Sequence, residues 1–200
     1  MIDYLKRSFD RLSIATGRKD EFNLPNTITL LRIGVVPLLF FLLLPPGLVG
    51  SFLIAVLFIA AALTDLLDGY IARKYHLVTT FGKFLDPIAD KLLVNVALIL
   101  MIPTGRVPAW IAVVMVARDI AVEGMRSIAS AQGAAITPST LGKRKTLAQV
   151  AAVSALIIHY PLFGIDAHLV GTVILYLALV LTVASGIDYF LKFQRLVLNR

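Results

Sequence analysis

Long apolar runs constrain this chain more than any other feature. Residues 28–44, 51–63 and 169–185 carry few or no charges. A helix needs roughly 20 mostly apolar residues to cross a bilayer. Lipid offers the backbone no hydrogen-bond partner, so only helices or a closed barrel span it. The runs are continuous instead of alternating with period two, which excludes the barrel. Charged residues make up 16% of the 200, where a soluble domain carries about a quarter, and the mean hydropathy is +0.87. The pattern predicts an all-α membrane protein.

Six spans are expected, at about 27–46, 51–74, 82–102, 107–130, 143–161 and 168–192. The connections at 45–47, 103–108 and 159–168 contain only Arg106 and Asp166 as full charges. Lys6, Arg7, Arg11, Arg18, Lys19, Arg73, Lys74, Lys143, Arg144, Lys145, Lys192, Arg195 and Arg200 all fall on the other side. The positive-inside rule makes that side, with both termini, cytoplasmic, in the cell (inner) membrane. An even number of spans satisfies this. Residues 1–22 form a leader in which Ile2, Leu5, Phe9 and Leu12 oppose Lys6, Arg7 and Arg11, the pattern of an amphipathic helix lying on an anionic membrane surface. Residues 23–200 form the six-helix domain. The first apolar run starts too late and is too long for a secretory signal. The net charge of +7 tracks topology and does not suggest nucleic acid. The absence of cysteine excludes disulfides, thiolate catalysis and zinc–thiolate sites.

The second and third spans depart from a generic bundle. Asp65, Asp68 and Ala72 are spaced three and four apart, and Gly82, Asp86 and Asp90 four and four, so each set shares one helix face. Four carboxylates converging near a membrane boundary need counter-charge. Arg73 and Lys91 supply part of it, and divalent cations are the natural remainder. Oxygen ligands suit Mg²⁺ or Mn²⁺, and four carboxylates can bridge two ions about 4 Å apart. Gly69, Ala72 and Gly82 leave room for close approach of a ligand. The alternative, ordinary acids paired with Arg73, Lys74 and Lys83, fits four acids at helical spacing poorly.

With every spacing intact, residues 65–90 match D-x2-D-G-x2-A-R-x8-G-x3-D-x3-D and resemble the signature of the CDP-alcohol phosphotransferase family. The resemblance implies six transmembrane helices, usually a homodimer, and bound Mg²⁺ or Mn²⁺. It implies that Asp65, Asp68 and Asp86 hold the metals and diphosphate, with Asp90 a further ligand and the general base. Gly69, Ala72 and Gly82 would line the pocket for cytidine and diphosphate, and Arg73 would stabilise the diphosphate. Asn23, Pro25, Asn26, Thr27 and Arg32, then Ala117-Arg118-Asp119 with Arg126, then Gly142-Lys143-Arg144-Lys145-Thr146 with Gln149 are similar to the branch that uses glycerol 3-phosphate. The leader is longer than that branch needs.

The residues themselves also favour an anionic acceptor. Arg118 and Arg126 lie on roughly one side of the fourth span, and Lys143 and Lys145 open the fifth, where a helix N-terminus favours phosphate. Lys143 and Lys145 cannot both point the same way, so one at most makes direct contact. Glu123 is placed to pair with Arg126. The expected reaction moves the phosphatidyl group of CDP-diacylglycerol to the 1-hydroxyl of sn-glycerol 3-phosphate, with Asp90 taking the proton. Inositol phosphate and phosphatidylglycerol stay open as acceptors; serine is less suited to the basic set. An ion or proton transporter is disfavoured, because the acids sit near one boundary and no repeat relates two halves. His76 reads as an interfacial side chain, Trp110 as an interfacial anchor, Pro37 and Pro87 as bends, and Asp188 as the partner of a nearby cation.

Overall fold

The computed structural model describes residues 34, 36, 47–74, 80–134, 136–137, 139–162 and 164–198, without the side chains of 65–74, 80–88, 90 and 197–198. The leader and nearly all of the first predicted span lie outside the described residues. Five helices cover the rest: α1 (Leu48–Lys74), α2 (Thr80–Leu100), α3 (Ala109–Ala131), α4 (Thr140–Ile158) and α5 (Ala167–Phe193), the last extended by a π-helical turn (Gln194–Leu198). They coincide with the second to sixth predicted spans to within a few residues. Among the described residues the fold is all-α apart from a hairpin of two-residue strands, β1 (Pro161–Leu162) and β2 (Ile165–Asp166). The sequence pattern treats that stretch as plain loop, because two-residue strands leave no alternation to detect.

Helix ends follow local chemistry. The Ser139 hydroxyl accepts from the Gly142 amide at 3.0 Å and caps α4, so the helix starts before its apolar run does. Asp166 accepts from the amides of His168 and Leu169 and caps α5. Gly133, at φ 72°, ends α3, and the Ala134 amide reaches back to the Ala129 carbonyl at 2.9 Å, a glycine-terminated helix end. His159 closes α4 at φ 59°, a left-handed conformation that costs a residue with a Cβ about 1 kcal/mol.

The main core joins all five helices through Ile54 and Phe58 (α1), Leu93 and Leu98 (α2), Ile111 and Met115 (α3), Val153 and Leu156 (α4), and Leu175 and Ala178 (α5). Helices α4 and α5 pack most extensively. The buried stripe of α5 is Gly171, Leu175, Ala178, Thr182, Ser185 and Tyr189, alternating steps of four and three. Its small residues admit a close neighbour. A Cβ at Gly171 would stand 2.8 Å from Leu156 Cγ. At the other end of the same helix pair, the Ser139 amide donates to the Tyr189 hydroxyl at 3.2 Å.

The outward face of α5 exposes Leu169, Val173, Tyr176, Leu177, Val180, Val183, Ile187 and Phe190. A continuous apolar face of that length has no place in water. With its extension, α5 is long and apolar enough to cross a membrane, and only 28% of its most apolar window is buried in the protein. Shorter apolar helical stretches occur at Leu48–Thr64 and Lys91–Leu100. Trp110 is exposed and its ring lies 6.3 Å from that of Tyr176.

The loops after α2 and α4 meet at one end of the bundle. Buried Arg106 donates from Nη1 to the carbonyls of Ile157 at 3.1 Å and Leu156 at 3.4 Å, which are otherwise orphan acceptors of the last turn of α4. Beside it, His159 Nδ1 and His168 Nδ1 are 3.2 Å apart. Burial, then Arg106 and His168, push the His159 pKa below its ordinary value, against a weaker opposing pull from Asp166.

Candidate active site

Asp65, Asp68, Gly69, Ala72 and Arg73 occupy the last turns of α1, and Gly82, Asp86 and Asp90 the first turns of α2. Both segments are helical, so the i, i+3 and i, i+4 spacings place the acids of each set on one face. The two helices are in contact and each also packs against α4. Their side chains at these positions lie outside the described ones. Among the described side chains, no group of three or more His, Cys, Asp or Glu is placed to hold a metal. The donor chemistry of the signature suits a divalent metal: four carboxylates and no sulfur or imidazole, a hard oxygen set.

The expected acceptor cations divide into two groups. Arg118 and Lys145 meet on one carboxylate that sequence reasoning left without a role. Asp119 is only 4% exposed. Both its oxygens lie 2.7 Å from Lys145 Nζ, and Oδ1 also accepts from Arg118 Nη1 at 3.0 Å. Lys145 is itself 3% exposed. The second nitrogen of the guanidinium, Nη2, donates to Ser185 Oγ at 2.8 Å, and the Ser185 hydroxyl in turn donates to the Thr182 carbonyl at 3.1 Å. The guanidinium carbon lies 5.5 Å from the centre of the Tyr189 ring, within range of a cation–π contact. Gly186 makes space for this, since a Cβ there would sit 3.2 Å from Arg118 Cγ. Arg118 Nε is buried and has no hydrogen-bond partner.

Arg126 and Lys143 stand apart from that network. Arg126 pairs with Glu123 at 3.6 Å, as its spacing suggested, but Glu123 also takes Lys91 from α2. Lys91 therefore serves α3, whereas the sequence offered it to the aspartates. Lys143 is exposed on the first turn of α4. Lys143 and Lys145 do point different ways, as a two-residue step on a helix requires. Asp188 pairs with Lys192 at 2.8 Å.

The network has the chemistry of an anion site. Arg118 and Lys145 share one carboxylate in a poorly solvated setting, and the Arg118 Nε has no hydrogen-bond partner. Burying a polar N–H is costly unless something accepts from it. The buried Gln149 Nε2, one helical turn beyond Lys145, is also without a partner. Native interiors rarely leave such donors unsatisfied without a ligand or water in view.

The profile of CDP-alcohol phosphatidyltransferases matches residues 22–184. This chain belongs to that family. It is 43% identical to the CDP-diacylglycerol–glycerol-3-phosphate 3-phosphatidyltransferase of Bacillus subtilis, over 86% of this chain and 95% of the relative. It is 40% identical to the protein of the same name from Rickettsia bellii, over 86% and 96%. A probable phosphatidylglycerophosphate synthase of Mycobacterium tuberculosis is 37% identical over 90% of this chain and 85% of the relative. The family match thus runs from residue 22 to 184 and is not confined to the signature.

The missed residues of this phosphatidyltransferase are Asp119, Ser185 and Tyr189. One signal pointed to Asp119: an acid in an apolar span demands a partner. Ser185 and Tyr189 share a helix face by spacing, but nothing in their sequence surroundings announces a guanidinium 67 positions from Ser185.

Proposed function

We propose that this chain transfers the phosphatidyl group of CDP-diacylglycerol to sn-glycerol 3-phosphate, giving phosphatidylglycerol phosphate and CMP. The observation that carries it is the family membership together with relatives of that activity along nearly their full length. The charged network around Arg118 supports an acceptor that brings its own phosphate.

In this reading the 1-hydroxyl of the acceptor forms a bond to the β-phosphorus while the bond to CMP breaks. Asp90 receives the hydroxyl proton, and the departing phosphate of CMP takes the bonding electrons. Asp65, Asp68, Asp86 and Asp90 would hold divalent metal, typical of the family, as two Mg²⁺ or Mn²⁺ ions. When bound, such metal stabilises charge on phosphoryl oxygens. Asp65, Asp68 and Asp86 also face the diphosphate; Gly69, Ala72 and Gly82 admit cytidine by lacking bulk, and Arg73 offsets diphosphate charge. Arg118, Arg126, Lys143 and Lys145 form the basic set for the acceptor phosphate. The protein would be a homodimer of six-span subunits in the cell membrane, with termini and active site cytoplasmic, where soluble acceptor meets lipid-borne donor. The N-terminal 22 residues would lie along the membrane surface.

The test is CMP release by purified protein given CDP-diacylglycerol, Mg²⁺ or Mn²⁺, and glycerol 3-phosphate, inositol phosphate or serine separately. Release with glycerol 3-phosphate, lost in Asp90→Asn, is the expected result. Release only with another acceptor overturns the substrate assignment. If no acceptor works and D90N behaves as the parent does, the transferase reading fails.

A further inference from the structure

Resting on that reading, we infer that Asp119 is a positioning residue for the acceptor site. With Lys145 and Ser185 it fixes the Arg118 guanidinium, so that Arg118 alone of the buried pair contacts the acceptor phosphate. The four expected phosphate ligands then have unequal roles. Lys145 spends its charge on both oxygens of Asp119 at 2.7 Å while nearly excluded from solvent, so it anchors the carboxylate. Arg118 is held at Nη1 by Asp119 and at Nη2 by Ser185, and braced by Tyr189 and Gly186. Nη1 and Nη2 each keep a second N–H, and Nε is buried without a hydrogen-bond partner.

The arrangement draws on three helices: α3 carries Arg118 and Asp119, α4 carries Lys145, and α5 carries Ser185. An arginine has several rotatable bonds, and fixing them before the ligand arrives removes an ordering cost of about 0.5–1.5 kcal/mol per side chain from binding. Asp119 also keeps two adjacent cations from repelling each other.

Asp119→Asn separates this role from simpler ones by sign. If Asp119 merely opposed an anion through its charge, removing it would tighten acceptor binding. If it only held the fold together, the folded fraction would fall without changing either Michaelis constant. As a positioning residue, its loss raises the KM for glycerol 3-phosphate about tenfold while the KM for CDP-diacylglycerol stays within about twofold. The variant leaves Lys145 without its counter-charge and can fail to fold. Ser185→Ala, which removes one uncharged clamp on Nη2, then decides the matter with an expected rise of about threefold for the acceptor alone. An unchanged acceptor KM in folded S185A, or a lower one in D119N, overturns the inference while the function stands. Parent protein that releases no CMP with glycerol 3-phosphate overturns the function, and this inference with it.

Discussion

Two arginines, Arg106 buried and Arg118 partly buried, sit at different levels of this bundle, and their surroundings differ in kind. Arg106 gives its charge to the backbone: the carbonyls of Leu156 and Ile157 close the last turn of α4, and no carboxylate is involved. Arg118 is held by side chains, shares its acid with a lysine, and has a buried Nε without a partner. Backbone carbonyls exist because the helix ends there, so Arg106 satisfies a need created by the fold. The Arg118 network leaves a need of its own, a buried Nε that no described residue meets. The contrast separates an arginine that completes a structure from one that awaits a ligand.

The sharpest way to break that contrast is to remove each guanidinium in turn. Arg118→Met is expected to lower kcat/KM for glycerol 3-phosphate about 100-fold, the loss of roughly 2.7 kcal/mol of binding to the transition state; a loss under about threefold would make the two arginines alike. Arg106→Met should instead lower stability in detergent by about 1–2 kcal/mol, as two carbonyls lose a charged donor, with both Michaelis constants unaltered. A change in acceptor KM in R106M would show the far end of the bundle coupled to the site. Lys143→Gln probes an exposed cation outside the network. It should raise the acceptor KM by about twofold at low salt, with the effect fading as salt is added.

The smallest effect belongs to the Arg106 end. Because His159 has its pKa depressed below the ordinary 6.5 by burial first and then by Arg106 and His168, the unfolded chain binds the proton more readily than the folded one. Stability is then full above pH 6.5 and falls as pH drops below it toward the folded pKa. Unfolding temperature measured between pH 8 and 5 should show this decline, flattened in His159→Gln. A profile as steep in H159Q as in the parent would assign the decline to other groups.

The helices were legible because an apolar run in a low-charge chain has few alternatives. The boundary at α4 was less so: hydropathy begins to rise after Lys145, but the helix starts at Thr140 because a serine hydroxyl caps it. The signature aspartates could be placed on two helix faces from spacing alone, since i, i+3 and i, i+4 relations are local. Long-range pairing could not. Glu123 had a visible partner three residues away in Arg126, and its second partner, Lys91, lies 32 positions back. Lys145 looked like a phosphate ligand because its own partner, Asp119, is 26 positions distant on another helix. Sequence spacing reports which charges share an element; which of them are already spent is decided by packing.

The contacts that join α4 to α5 at both extremities also bear on traffic through the enzyme. At one extremity Gly171 leaves no room between the helix backbones and Leu156, and at the other Tyr189 is tied to the residue that caps α4. Fastened at top and bottom, these two helices move as a single stave. A route for an entering acceptor or a departing nucleotide must therefore open along another seam of the bundle.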